Sequence, residues 1–160
     1  MKSGIGGRVK GFTLVELIVI LAIVGLLAAT AAPLFFSRLT YDTRAFADKA
    51  ESMLRYAQKS AIAKRRRVCA SLTANDLSLA FASAPGVDAA CDHPLPGPSG
   101  DSQFSMDAPS GVSLSTIPAT AAFSFDGNGR SSLPARLEIL ITGDTTYHLY
   151  VEPETGYVHR

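Results

Sequence analysis

Charge of either sign is scarce. Lys, Arg, Asp and Glu make up 18% of the 160 residues, and 15 cations against 14 carboxylates leave a formal charge of +1. That balance excludes a globally basic nucleic-acid binder, although it can conceal local asymmetry. Cysteine is scarcer still: Cys69 and Cys91 are the two present, too few for a disulfide-dense scaffold or a four-thiolate zinc site. Thirteen Gly and nine Pro follow no fixed period, which excludes collagen. No phosphate-binding loop and no nucleophile signature occurs, and His93, His148 and His159 lack metal-ligand spacing. The sequence therefore predicts no enzyme, no cofactor and no metal. Apolar residues are plentiful at 47%, which excludes a disordered charged chain. The length has room for one ordinary domain and an appendage.

The apolar residues are piled at the start. Phe12 to Phe36 carries one charge, Glu16, and Leu17 to Ala32 carries none. As a helix this stretch extends roughly 37 Å at ~1.5 Å per residue, enough for a hydrocarbon core of ~30 Å. Lys2, Arg8 and Lys10 precede it, and positive charge there predicts a cytoplasmic N-terminus with the remainder exported. A secretory signal peptide would put its cleavage site at Ala29-Thr30-Ala31, but Glu16 inside the apolar run costs about 2 to 3 kcal/mol or more. A plain membrane anchor is the second reading.

The third reading rests on Lys10-Gly11-Phe12-Thr13-Leu14-Val15-Glu16-Leu17. A Gly-Phe-Thr-Leu-Val-Glu-Leu stretch ahead of an apolar helix resembles the class III signal of type IV pilins and type II secretion pseudopilins. The resemblance implies cleavage after Gly11 by a prepilin peptidase, methylation of the new amino group of Phe12, and retention of the apolar helix. It also implies that Glu16 pairs with the terminal amine of a neighbouring subunit. That fits the chemistry, because a lone carboxylate in an apolar helix needs a partner or a proton. The alternative is a helix-start carboxylate that faces headgroups and complements the macrodipole. Pro33 removes a helical hydrogen bond and clashes with the preceding turn, so a kink is expected there.

Beyond Pro33, Leu39, Phe46, Ala50, Met53, Ala57 and Ala61 recur at steps of seven, three and four, the stripe of an amphipathic helix. Arg38, Asp42, Lys49, Ser52 and Lys59 lie mostly off the stripe, and Glu51–Arg55 is a favourable i,i+4 pair. One helix from about Phe12 to Ala63 is expected, weakened near Pro33. Alternating runs then predict strands at Val68–Thr73, Leu77–Ser83, Val112–Ile117, Ala122–Phe125, Arg136–Thr142 and Thr146–Glu152. Pro85 to Ser102 reads as a long surface loop. Asp126-Gly127-Asn128-Gly129 opens like a calcium loop, but Arg130 at the fifth position favours a hairpin turn.

Scattered features of the second half resemble the GspH/FimT group of minor pilins and pseudopilins: the helix Arg55–Ala63 leading into Val68–Leu72, the Phe125-Asp126-Gly127 turn, and an ending, Val151–His159, like that of MSHA-type minor pilins of the MshC kind. The implied fold is α+β, a long N-terminal transmembrane and amphipathic helix packed on a small antiparallel β head. The expected organisation is a cleaved leader over 1–11, a transmembrane half over 12–36, an amphipathic half over 37–67 and a periplasmic head over 68–160. The implied function is a minor pilin that helps nucleate or cap a type IV, MSHA-like filament, with a minor pseudopilin of a type II secretion system as the alternative and a DNA-binding or adhesive tip pilin as the second alternative. The expected partners are other pilin or pseudopilin subunits, the prepilin peptidase and the inner membrane.

Local charge is uneven. Residues 38–67 hold nine Lys/Arg against three Asp/Glu, and residues 68–160 hold three against ten. The run Lys64-Arg65-Arg66-Arg67 has one reading as a DNA contact and another as cations that suit a helix C-terminus or face a neighbour's acidic head. In an oxidising compartment Cys69 and Cys91 are expected to pair, closing a loop of about twenty residues worth ~3 kcal/mol. The alternative is two unpaired thiols.

Overall fold

The structure, a computed structural model, describes residues 12–35, 38–86 and 88–160. The chain divides after Ser37 into two compact units. The first contains α1, Leu14–Phe35. Its backbone extends roughly 33 Å at ~1.5 Å per residue. Among the described residues no helix is long and apolar enough to cross a membrane; the side chains of α1 are described only as far as Thr30. The helix runs through Pro33 for two more residues. The expected continuity into the next helix passes through residues 36 and 37, which lie outside the described ones.

The second unit opens with α2, Arg38–Lys64. The expected stripe is its buried face, with Phe46, Ala50, Met53, Ala57 and Ala61 enclosed and Leu39 packed against the core. Thr43, Ala47, Leu54 and Ser60 widen that face. Among the described residues nine strands follow: β1 Val68–Leu72, β2 Asp76–Phe81, β3 His93–Pro94, β4 Ser105–Asp107, β5 Ser113–Ile117, β6 Ala122–Phe125, β7 Leu137–Thr142, β8 Thr146–Val151 and β9 Val158–His159. They form the expected antiparallel β head as two sheets. One has the order β3-β2-β1-β6, with β4 also on β2, and the other has β5-β7-β8-β9. Alternation puts Val68, Ala70, Leu77, Leu79 and Phe125 of the first sheet in the core with Leu137, Ile139, Ile141, Leu149 and Val151 of the second. Helix α2 packs across both sheets, so one helical stripe closes two half-buried faces.

The segment Pro85 to Ser102 is not a plain surface loop. His93 and Pro94 pair with Phe81 and Ala80 at the sheet edge. Leu95 is fully buried; its N–H donates to the Leu79 carbonyl, and its carbonyl accepts the Phe104 N–H. Composition hid this, because among the described residues of the segment the burial falls on one leucine and on Gly97, amid prolines, glycines and serines. The structure joins Cys69 in β1 to Cys91, with Cα atoms 6.1 Å apart, which ties the same segment down from its other end.

Candidate functional site

At the N-terminal end, Thr13 stands just before α1. Its Oγ1 accepts the Glu16 N–H at 3.2 Å and its carbonyl accepts the Leu17 N–H at 3.2 Å. Threonine followed three residues later by glutamate is a capping-box pattern, and the hydroxyl half of it is formed. The cap adds to the sequence expectation for Glu16, and its signal, a threonine three residues before a glutamate, is present in the chain. Glu16 is thereby placed in the first turn, where a carboxylate complements the positive end of the helix dipole. It is the one charged residue of α1. Around it the apolar side chains lie open, with Phe12 73% and Leu14 74% exposed and Leu17, Ile18, Leu21 and Val24 all more than half exposed. A helix apolar on every side is stable where lipid or other helices cover it. Gly11, the residue before the expected scissile bond, lies outside the described residues.

A second constellation forms where α2 meets β1. The helix ends with two backbone bonds, Arg66 N–H to the Ala61 carbonyl at 3.1 Å and Arg65 N–H to the Ile62 carbonyl at 3.2 Å. That is a Schellman motif, whose left-handed position usually holds glycine. Here it holds Arg65, at φ +50°. The four cations of the run disperse. Lys64 lies over the Phe81 ring at 5.0 Å, and Arg66 donates from Nη1 to the Ser83 carbonyl. Arg67 is half-buried, donating from Nε to Ser124 Oγ at 2.9 Å and from Nη1 to the Ala89 carbonyl at 3.4 Å. Arg65 and Arg67 line an open groove of about 690 Å³ with Ile62, Gly86, Gly127 and Asn128.

The turns sit beside this groove. Asp126 Oδ1 accepts the Asn128 and Arg130 N–H groups at 2.8 and 2.9 Å, which commits that oxygen to a turn. Gln58 of α2 donates to the carbonyls of Gly129 and Thr155 at 3.0 and 2.7 Å, binding two hairpin ends together. The helix pair forms as expected, Arg55 to Glu51 at 2.7 Å. It also recruits the chain's end: Arg55 Nε donates to the Val158 carbonyl at 3.1 Å, and Arg160 pairs with Glu51 at 3.0 Å and with Asp48. His148 is exposed and meets Glu138 at 2.7 Å, and His159 meets Glu152 at 3.1 Å. His93 stands against Phe81 at the sheet edge.

A capped apolar helix bearing one carboxylate, and a helix laid across two antiparallel sheets, both have counterparts in known proteins. The prokaryotic N-terminal methylation motif matches residues 7–32. Two fimbrial proteins of Pseudomonas aeruginosa are each 41% identical to this chain over 69 residues, a stretch that covers 42% of this chain and 44% of theirs. The chain thus matches less than half the length of these relatives. Two crystal forms of the Pseudomonas aeruginosa type IV minor pilin FimU superpose with TM-scores of 0.55 and 0.54. They cover 77% and 72% of this chain and 87% and 90% of FimU, at 16% and 18% identity. At that identity the likeness is one of fold: an N-terminal helix followed by an antiparallel β head of the type IV minor pilin kind.

Proposed function

We propose that this protein is a structural, non-enzymatic minor subunit of a type IV filament. It is cleaved after Gly11 by a prepilin peptidase, methylated at Phe12, and held in the inner membrane by the apolar stretch from Phe12 to Phe36, with its head in the periplasm until assembly. The observation that carries the reading is the methylation motif lying over an apolar helix whose described side chains are exposed on all sides. In the filament those side chains are covered by other subunits, and the proposed role there is to nucleate or cap an MSHA-like assembly. A minor pseudopilin of a type II secretion system would share the same N-terminal chemistry; the head fold shared with FimU supports the pilus.

In this reading Glu16 acts in assembly by accepting the terminal ammonium of a neighbour. Removing one partner of a well-buried pair leaves the other charge uncompensated, at about 3 to 5 kcal/mol. Glu16→Ala is expected to be cleaved normally and to accumulate in the membrane with a folded head, but to be lost from the complex with other pilin-like subunits. Co-purification from membranes measures this; recovery equal to wild type contradicts the role given to Glu16.

A further inference from the structure

The groove at the end of α2 has no part in the N-terminal chemistry, yet a local rule is broken to build it. An arginine in the left-handed position costs about 1 kcal/mol that glycine would not. The cost falls on the residue that, with Arg67, supplies the groove's cations. Departures from local preference that bring no packing gain concentrate at functional positions.

The chemistry of the groove restricts what it can hold. The exposed Arg65 guanidinium, the part of Arg67 that Ser124 and Ala89 leave unbonded, the amide side chain of Asn128 and one apolar wall, Ile62, suit a compact anion. A long polyanion needs a row of cations in line, and this run does not supply one. Lys64 is committed to Phe81 and Arg66 to Ser83. The counterpart is written in the same chain. Between Val68 and Gly129 there are six Asp and no Lys or Arg. Of these, Asp88, Asp92, Asp101 and Asp107 are exposed. The second unit therefore carries both signs: cations concentrate at the helix end and carboxylates on the first sheet and its loops, with Asp88 and Asp126 close to Arg67. Such a surface complements its own kind in a heterologous manner, and contacts of that type propagate a filament rather than close a ring.

We propose that the groove lined by Arg65 and Arg67 docks a carboxylate-bearing loop on the acidic head of an adjacent pilin-like subunit. This rests on the filament reading above and assigns one of its lateral contacts. The test uses the full chain in its own membrane with its companion subunits. A photocrosslinker replaces Asn128 at the groove, and a control crosslinker replaces Val19 in α1. The expected result is an adduct from position 128 whose peptide, identified by mass spectrometry, maps to an Asp- or Glu-rich head loop of a pilin-like protein. Placed in the same background, Arg65→Glu should reduce that adduct about tenfold or more, the loss of a charge-assisted contact. Arg65→Lys should retain most of it. Arg65→Gly discriminates best, because it should lose the adduct while the head keeps or gains thermal stability through relief of the left-handed arginine. An adduct at 19 with none at 128, a crosslink to nucleic acid or lipid, or an Arg65→Gly protein that crosslinks like wild type overturns this proposal and leaves the filament reading standing. Absence of pilin-like adducts at both positions overturns the filament reading itself.

Discussion

Asp76 shows what one residue costs the head. It stands opposite Asp107 where β2 pairs with β4, and like charges across an antiparallel pair repel. The residue is only partly buried, but its Oδ2 is enclosed without a hydrogen-bond partner. Desolvation first, and Asp107 second, raise the carboxyl above its ordinary value. The folded pKa therefore exceeds the unfolded one, so the ionised group is a cost at neutral pH. That cost fades as pH falls through the raised value and is gone below the unfolded value. Asp76→Asn should raise the melting temperature at about pH 7, with the gain vanishing toward about pH 3. A gain equal at both pH values would show that the charge is not its source. Asp92 behaves oppositely: the Ser83 hydroxyl, at 2.5 Å, and the Ser83 N–H, at 2.8 Å, hold its carboxyl below the ordinary range.

Among elements, the turn of the β7–β8 hairpin lies tightly against α2. A Cβ placed on Gly143 would stand 2.2 Å from Thr43 Oγ1, and that hydroxyl is itself bonded to the Leu39 carbonyl at 2.6 Å within the helix. Beside it Thr40 donates to Asp144 at 2.6 Å. Gly143→Ala should therefore cost about 1 to 3 kcal/mol, as overpacking does. Adding Thr43→Ala should return part of it, measured as a coupling energy in denaturant melts. Independent, additive losses would mean that the two elements are not in tight contact. The Pro85 to Ser102 segment is fixed by different means, one disulfide and one leucine. Cys69→Ala with Cys91→Ala should lower head stability by about 2 to 4 kcal/mol, and Leu95→Ala by about 2 to 5 kcal/mol. Unchanged melting in either variant would mean that the segment is not anchored there.

These elements also mark what a sequence can and cannot disclose. The α2 stripe and the six longer strands are legible because each offers a run of four or more residues to read, and such a pattern survives without knowledge of the partner. Strands β3, β4 and β9 span two or three residues each. Nothing periodic fits in so short a run, and pairing with β2 or β8 supplies what the local sequence lacks. Glu16 was legible as a candidate because a carboxylate in an apolar run stands out. The groove was not. The run Lys64 to Arg67 reads as one patch on paper, whereas the left-handed turn at Arg65 sends its members to different partners. Only Arg65 and Arg67 share the groove with Gly86 and Gly127, which come from distant loops.

For the whole molecule, the decisive feature is the division between a first unit that exposes apolar side chains on every described side and a second that buries its own core. Helix α2 with its two sheets satisfies itself; α1 does not, and needs lipid or other helices around it. The account therefore stands on the N-terminus: a chain processed as a pilin keeps α1, and a chain processed as a secreted protein discards it. The direct measurement is the intact mass of the mature protein purified from membranes. The account predicts a chain that begins at Phe12 and carries one added methyl group on its amine, with Gly11→Leu leaving the leader attached. A mature chain beginning near Ala32, with the apolar helix removed, would contradict it.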